Sequence, residues 1–69
     1  MDLQTFIRDH GITSTELADG IGLKRSTVSN KLLGIRPWFQ EEVNQVLAFL
    51  SRRLERPVTY EEAFNAKAA

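Results

Sequence analysis

Ile12-Thr13-Ser14-Thr15-Glu16-Leu17-Ala18-Asp19-Gly20-Ile21-Gly22-Leu23-Lys24-Arg25-Ser26-Thr27-Val28-Ser29-Asn30-Lys31-Leu32-Leu33-Gly34 is the stretch that decides how this chain folds. Thr13 and Glu16 stand three residues apart, a hydroxyl at the N-cap and a carboxylate at N3, which predicts a capping box. Ile12 and Leu17 flank it at N′ and N4, where a hydrophobic staple forms. These features agree on one helix start and predict a helix over 14–20. Gly20 and Gly22 then break it, since two glycines one residue apart mark a tight turn with positive φ available. A second helix is predicted over 25–33, ended by Gly34. Leu17 and Ile21 face inward, Ala18 is small enough for two helices to cross closely, and Val28 packs the second helix back onto the first.

Working outward, the upstream segment predicts a helix over Leu3–His10. Asp2 is its N-cap, Leu3, Phe6, Ile7 and His10 share a face, and Gly11 stops it. Downstream, Arg36-Pro37-Trp38 reads as a connector. Gln40–Leu54 carries one apolar stripe of Val43, Val46, Leu47, Leu50 and Leu54. Glu41 and Glu42 suit its first turn, and Arg52, Arg53 and Arg56 suit the negative end of its dipole. Pro57 prevents continuation. Thr59 and Glu62 form a second capping box that opens a helix at Tyr60–Asn65, and the tail 66–69 is expected to fray. No segment alternates with the period of a half-buried strand. The expectation is an all-α bundle of about five short helices, one domain over residues 1–69.

Composition excludes several functions. A chain of 69 residues buries only ~60% of its unfolded surface, so its stability margin is thin. There is no cysteine, and His10 alone cannot build a zinc site, so no metal and no cofactor is expected. No apolar run approaches the ~20 residues that span a bilayer, and no signal segment appears. A cytoplasmic protein, nucleoid-associated in a bacterial host, is the expectation. Catalysis is not expected either. No nucleophile-base set or phosphate-binding glycine loop is present, and Glu41-Glu42 and Glu61-Glu62 are explained by helix dipoles.

The formal charge is zero, yet its distribution is uneven. Residues 1–23 carry Arg8 against Asp2, Asp9, Glu16 and Asp19, a net −3. Residues 24–36 carry Lys24, Arg25, Lys31 and Arg36 with no acid, a net +4, and the remainder is −1. A local basic patch is what phosphate binding requires. The 25–33 helix buries only a narrow edge, Val28 and Leu32. Its other side chains are hydroxyls, an amide and cations. That inventory suits base edges: arginine or lysine for guanine, asparagine for adenine, serine or threonine for several acceptors.

Residues 12–38 resemble the Cro/C1-type (XRE-like) helix-turn-helix regulators known from phage repressors. The resembling residues are Ile12-Thr13-Ser14-Thr15-Glu16-Leu17-Ala18, Ile21-Gly22-Leu23, Arg25-Ser26-Thr27-Val28-Ser29-Asn30-Lys31-Leu32, Gly34 and Arg36-Pro37-Trp38. The likeness extends to the five-helix pattern of nearly the whole chain. It implies a lambda-repressor-like DNA-binding domain with the 25–33 helix as recognition helix in the major groove. It implies base reading by Arg25, Ser26 and Asn30, then Lys24 and Ser29. It implies phosphate contacts at Ser14, Thr27, Lys31, Arg36 and the main chain around Trp38. Lys31 stands where the family more often has an apolar residue, and Lys24 where it has a capping serine or threonine. The implied partner is operator DNA, bound as a homodimer on a palindromic site, and the implied role is transcriptional repression or regulation. The alternative is a protein-interaction module on the same fold, an antitoxin-like or anti-repressor partner, to which the neutral total charge lends weight. Val58, Tyr60, Ala63 and Phe64 give the last helix an apolar side that either caps the core or meets a second copy.

Overall fold

The capping signals translate directly into helix starts. In the structure, a computed structural model describing residues 3–64, Thr13 Oγ1 accepts from the Glu16 N–H at 3.1 Å. Glu16 Oε1 in turn accepts from the Thr13 N–H at 3.3 Å. At Thr59 the N-cap half of the expected second box forms, with Thr59 Oγ1 accepting from the Glu62 N–H at 3.2 Å. The Glu62 carboxylate also pairs with the Arg56 guanidinium at 2.7 Å. Five helices result: α1 (Leu3–Asp9), α2 (Ser14–Ile21), α3 (Arg25–Leu32), α4 (Gln40–Leu54) and α5 (Tyr60–Ala63). No strand occurs among the described residues. The expected N-cap Asp2 and the expected helix end Asn65 lie outside the described residues.

Helix ends differ from expectation by a residue or two. α2 runs on through Gly20 to Ile21, and only Gly22 leaves the helical region, at φ 75°. Gly22 thus makes the turn, while Gly20 serves packing: a Cβ there would run into the Phe49 ring of α4. α3 ends at Leu32, with Leu33 as its C-cap. Beyond it, the Ile35 N–H reaches back to the Asn30 carbonyl at 2.9 Å and the Gly34 N–H to that of Lys31 at 3.2 Å, a Schellman closure. α4 ends the same way, except that its left-handed residue is Glu55, at φ 55°.

α2 is the hub, packed on both α3 and α4, while α1 lies against α5. Leu17, Ala18, Val28, Val46 and Leu50 are fully buried between them. Each large apolar side chain so buried is worth roughly 1.5–3 kcal/mol. α5 caps this core: Val58 and Ala63 are buried and Phe64 is half-buried, which leaves Tyr60 as the exposed member of that apolar side. The Ser51 hydroxyl, accepting from the Val58 N–H at 3.1 Å, ties the α4–α5 link to α4.

Candidate nucleic-acid interface

Because α3 packs chiefly on α2 through Val28 and Leu32, the rest of its circumference is left outside the core. Lys24, Arg25 and Ser26, at its start, are exposed, and Thr27, Ser29 and Asn30 are half-buried. Lys24 is the N-cap and provides no side-chain hydrogen bond. The first amide groups of α3 therefore lack a side-chain acceptor, and a helix N-terminus in that condition favours anions. Lys24, Arg25 and Arg36 are exposed and form no ion pair among the described residues. Arg36 follows the α3 closure directly, its N–H donating to the Asn30 carbonyl at 3.3 Å.

Ser14, the first residue of α2, is half-buried. It lines a shallow cleft together with Gln4 and Arg8 of α1 and Leu32 of α3. Neither Gln4 nor Arg8 stood out in the sequence. Arg8 sits in an acidic third of the chain, and only the packing of α1 brings it beside α2.

Lys31 corrects the sequence reading. The residue is 6% exposed, so its ammonium does not face a phosphate from the surface. Nζ donates to Glu42 Oε1 at 2.7 Å and to the Pro37 carbonyl at 2.8 Å. It lies 4.7 Å from the Phe39 ring centroid and 5.6 Å from that of Trp38. The cause is its register: Lys31 follows Val28 by three residues and precedes Leu32, on the inward edge of α3. A cation there is tolerable only when paired and hydrogen-bonded. Its partner Glu42 also accepts from the Phe39 N–H at 3.0 Å, closing the start of α4. Burial pushes the Glu42 carboxyl up, but the Lys31 hydrogen bond, the Phe39 N–H and the ammonium charge together hold it below the usual range. In the sequence Glu42 carried only a helix-dipole role, because no local pattern pairs it with a lysine eleven residues away.

Trp38 is half-buried and meets Phe64 edge-on, with centroids 5.7 Å apart at 81°. It thus plugs the edge of the core between the connector and α5. Leu33, Ile35, Phe39 and Tyr60 are each more than half exposed. The exposure of Ile35 and Phe39 was not legible in the sequence, because an apolar residue in a connector can turn either way.

No family model matches the chain, and neither does any curated protein or solved structure. Among the described residues there is no group of metal-ligating side chains, and no helix is long and apolar enough to cross a membrane.

Proposed function

We propose that this chain binds double-stranded DNA in a sequence-specific manner, inserting α3 into the major groove, and regulates transcription by occupying its operator. The observation that carries this reading is the exposed, unpaired, cationic and hydroxylic flank of α3 and its flanks: Lys24, Arg25, Ser26 and Arg36. An α-helix fits the B-DNA major groove, and residues near its N-terminus reach the bases. Arg25, Ser26 and Asn30 read bases, with Lys24 and Ser29 beside them. Ser14, Thr27, Arg36 and the main chain near Trp38 hold phosphates. The resemblance of residues 12–38 to the phage-repressor-like family supports these roles. The setting is the bacterial cytoplasm, on the nucleoid.

Selection of bound duplexes from a random pool is the direct test, because it reads both binding and operator symmetry. A recovered palindrome with half-sites about one helical turn apart fits a homodimer. Recovery of no enriched sequence counts against specific binding. On the selected site, Arg25→Ala should cost about 1–3 kcal/mol and relax preference at one base pair. Equal weakening on every sequence would make Arg25 a phosphate contact instead.

Leu33, Ile35, Phe39 and Tyr60, large apolar side chains left exposed, favour a second reading, a protein partner. The two readings separate by salt. Phosphate binding weakens steeply as salt rises, whereas apolar docking changes little.

A further inference from the structure

We propose that the groove between the end of α2 and the last turns of α4 docks an acidic peptide segment of a partner protein, one that carries an apolar side chain beside its carboxylates. The groove is lined by Gly20 of α2 and by Phe49, Arg52 and Arg53 of α4. It is shallow and holds about 400 Å³, room for side chains of a docked segment rather than for an enclosed small molecule. Arg52 and Arg53 follow Phe49 by three and four residues, so the three share one face of α4. Phe49 stands outside the stripe of Val43, Val46 and Leu50 that α4 buries, yet it is apolar and only half-buried. Its ring rests against Gly20, where a Cβ would collide with it. Gly20 is itself exposed, so this apolar floor is open to solvent.

The rim of the groove is cationic. Arg52 and Arg53 are exposed, and no acid lines the groove. Arg53 holds Glu16 of its own chain at 3.6 Å, through the oxygen that the Thr13 cap leaves over. Arg52 has no such carboxylate among the described residues. Charge complementarity therefore calls for an anionic occupant, and a guanidinium can meet both oxygens of one carboxylate. The Phe49 floor calls for an apolar side chain as its anchor. The phosphates of a duplex would answer the charge and leave that floor unused, so an acidic protein segment fits better. No residue of α3 lines the groove, and docking here does not depend on the DNA-binding reading. Complementing the dipole of α4 accounts for the two arginines, but not for an aromatic ring seated between them and a glycine.

The test is an NMR titration of the isotope-labelled chain with a capped Glu-Glu-Phe-Glu-Glu-Leu peptide. Saturable shifts of the Gly20, Phe49, Arg52 and Arg53 amides are expected. A capped all-glutamate peptide of the same length should bind more weakly, and the peptide with lysine in place of glutamate should leave these amides unmoved. Arg52→Gln should weaken the Glu-Glu-Phe-Glu-Glu-Leu peptide roughly tenfold, the loss of one charged hydrogen-bonded contact. Shifts centred on Lys24, Arg25 and Arg36 instead of the groove would overturn the assignment, as would wild-type affinity in Arg52→Gln. Equal binding of the all-glutamate peptide would also overturn it, because the apolar floor would then play no part. A mixed-sequence DNA duplex is titrated in parallel. If it moves the groove amides and Arg52→Gln lowers its affinity, the groove is a phosphate surface and the peptide assignment falls. Peptide docking at the groove with no duplex binding would leave this assignment standing and remove the DNA-binding reading. Thermal melting checks that the variant is folded. Should Arg52→Gln not fold, Arg53→Gln decides: weakened peptide binding supports the groove, and unchanged binding overturns it.

Discussion

Lys31 shows how a single residue can change role between sequence and structure. As a member of a basic window it counts toward phosphate binding, yet its side chain is 4% exposed and that of its partner Glu42 is 17% exposed. The asymmetry predicts unequal mutants. Glu42→Gln leaves a buried ammonium without its counter-charge and should cost about 2–4 kcal/mol. Lys31→Met restores an apolar side chain on an apolar edge and leaves a carboxylate that can turn outward. It should cost about 1 kcal/mol or less. Urea unfolding of the two variants measures this, and the reverse order would mean that the ammonium finds other acceptors. Lys31→Met should also leave the salt slope of DNA binding untouched, because the buried cation neutralises no phosphate. Gly20 is the second residue whose role shifted. Alanine is the better helix former by about 1 kcal/mol, but its methyl would collide with Phe49. Overpacking costs typically 1–3 kcal/mol, so Gly20→Ala should destabilise on balance. A gain in melting temperature would mean that the Phe49 ring swings aside freely.

Helix boundaries were the most legible features at the scale of elements, because they are local chemistry. Thr13 with Glu16, and Thr59 with Glu62, specify starts through hydrogen bonds spanning three residues. Gly22 and Gly34 specify stops through a backbone conformation that side chains resist. α4 reaches its predicted end by a costlier route. Glu55 adopts the left-handed conformation, and the Arg56 N–H reaches back to the Ser51 carbonyl at 3.1 Å. A left-handed non-glycine residue costs about 1–2 kcal/mol, part of which glycine returns as unfolded-state entropy. Glu55→Gly should therefore stabilise the chain by about 0.5–1 kcal/mol, read as a rise in the urea midpoint with an unchanged m-value. α3 is the opposite case: its start has no side-chain cap. Local rules alone would mark that as a weak start, and the unsatisfied amides leave that end of the helix favourable to anions.

The whole molecule is held by a small core and a few ion pairs, so acid should unfold it through its carboxylates. Glu42 and Glu62 both titrate below the usual range, Glu42 against its own burial through the Lys31 hydrogen bond, Glu62 mainly through the Arg56 hydrogen bond. A carboxylate with a depressed folded-state pKa contributes fully above its unfolded pKa. That contribution is lost as pH falls through the folded value. Melting temperature should hold between about pH 7 and 5 and decline below about pH 4. Glu42→Gln should flatten much of the decline, whereas Glu62→Gln, at an exposed pair, should flatten little of it. The five-helix architecture and the basic flank of α3 were both readable from the chain alone. Caps, glycine stops and apolar periodicity act between residues three or four apart, and that range is printed in the sequence. What only the folded molecule decided involves residues distant along the chain. Packing seated Lys31 on Glu42 and Phe49 over Gly20, and brought Arg8 beside Ser14. Burial and neighbourhood depend on how whole helices meet, and no short-range pattern carries that information.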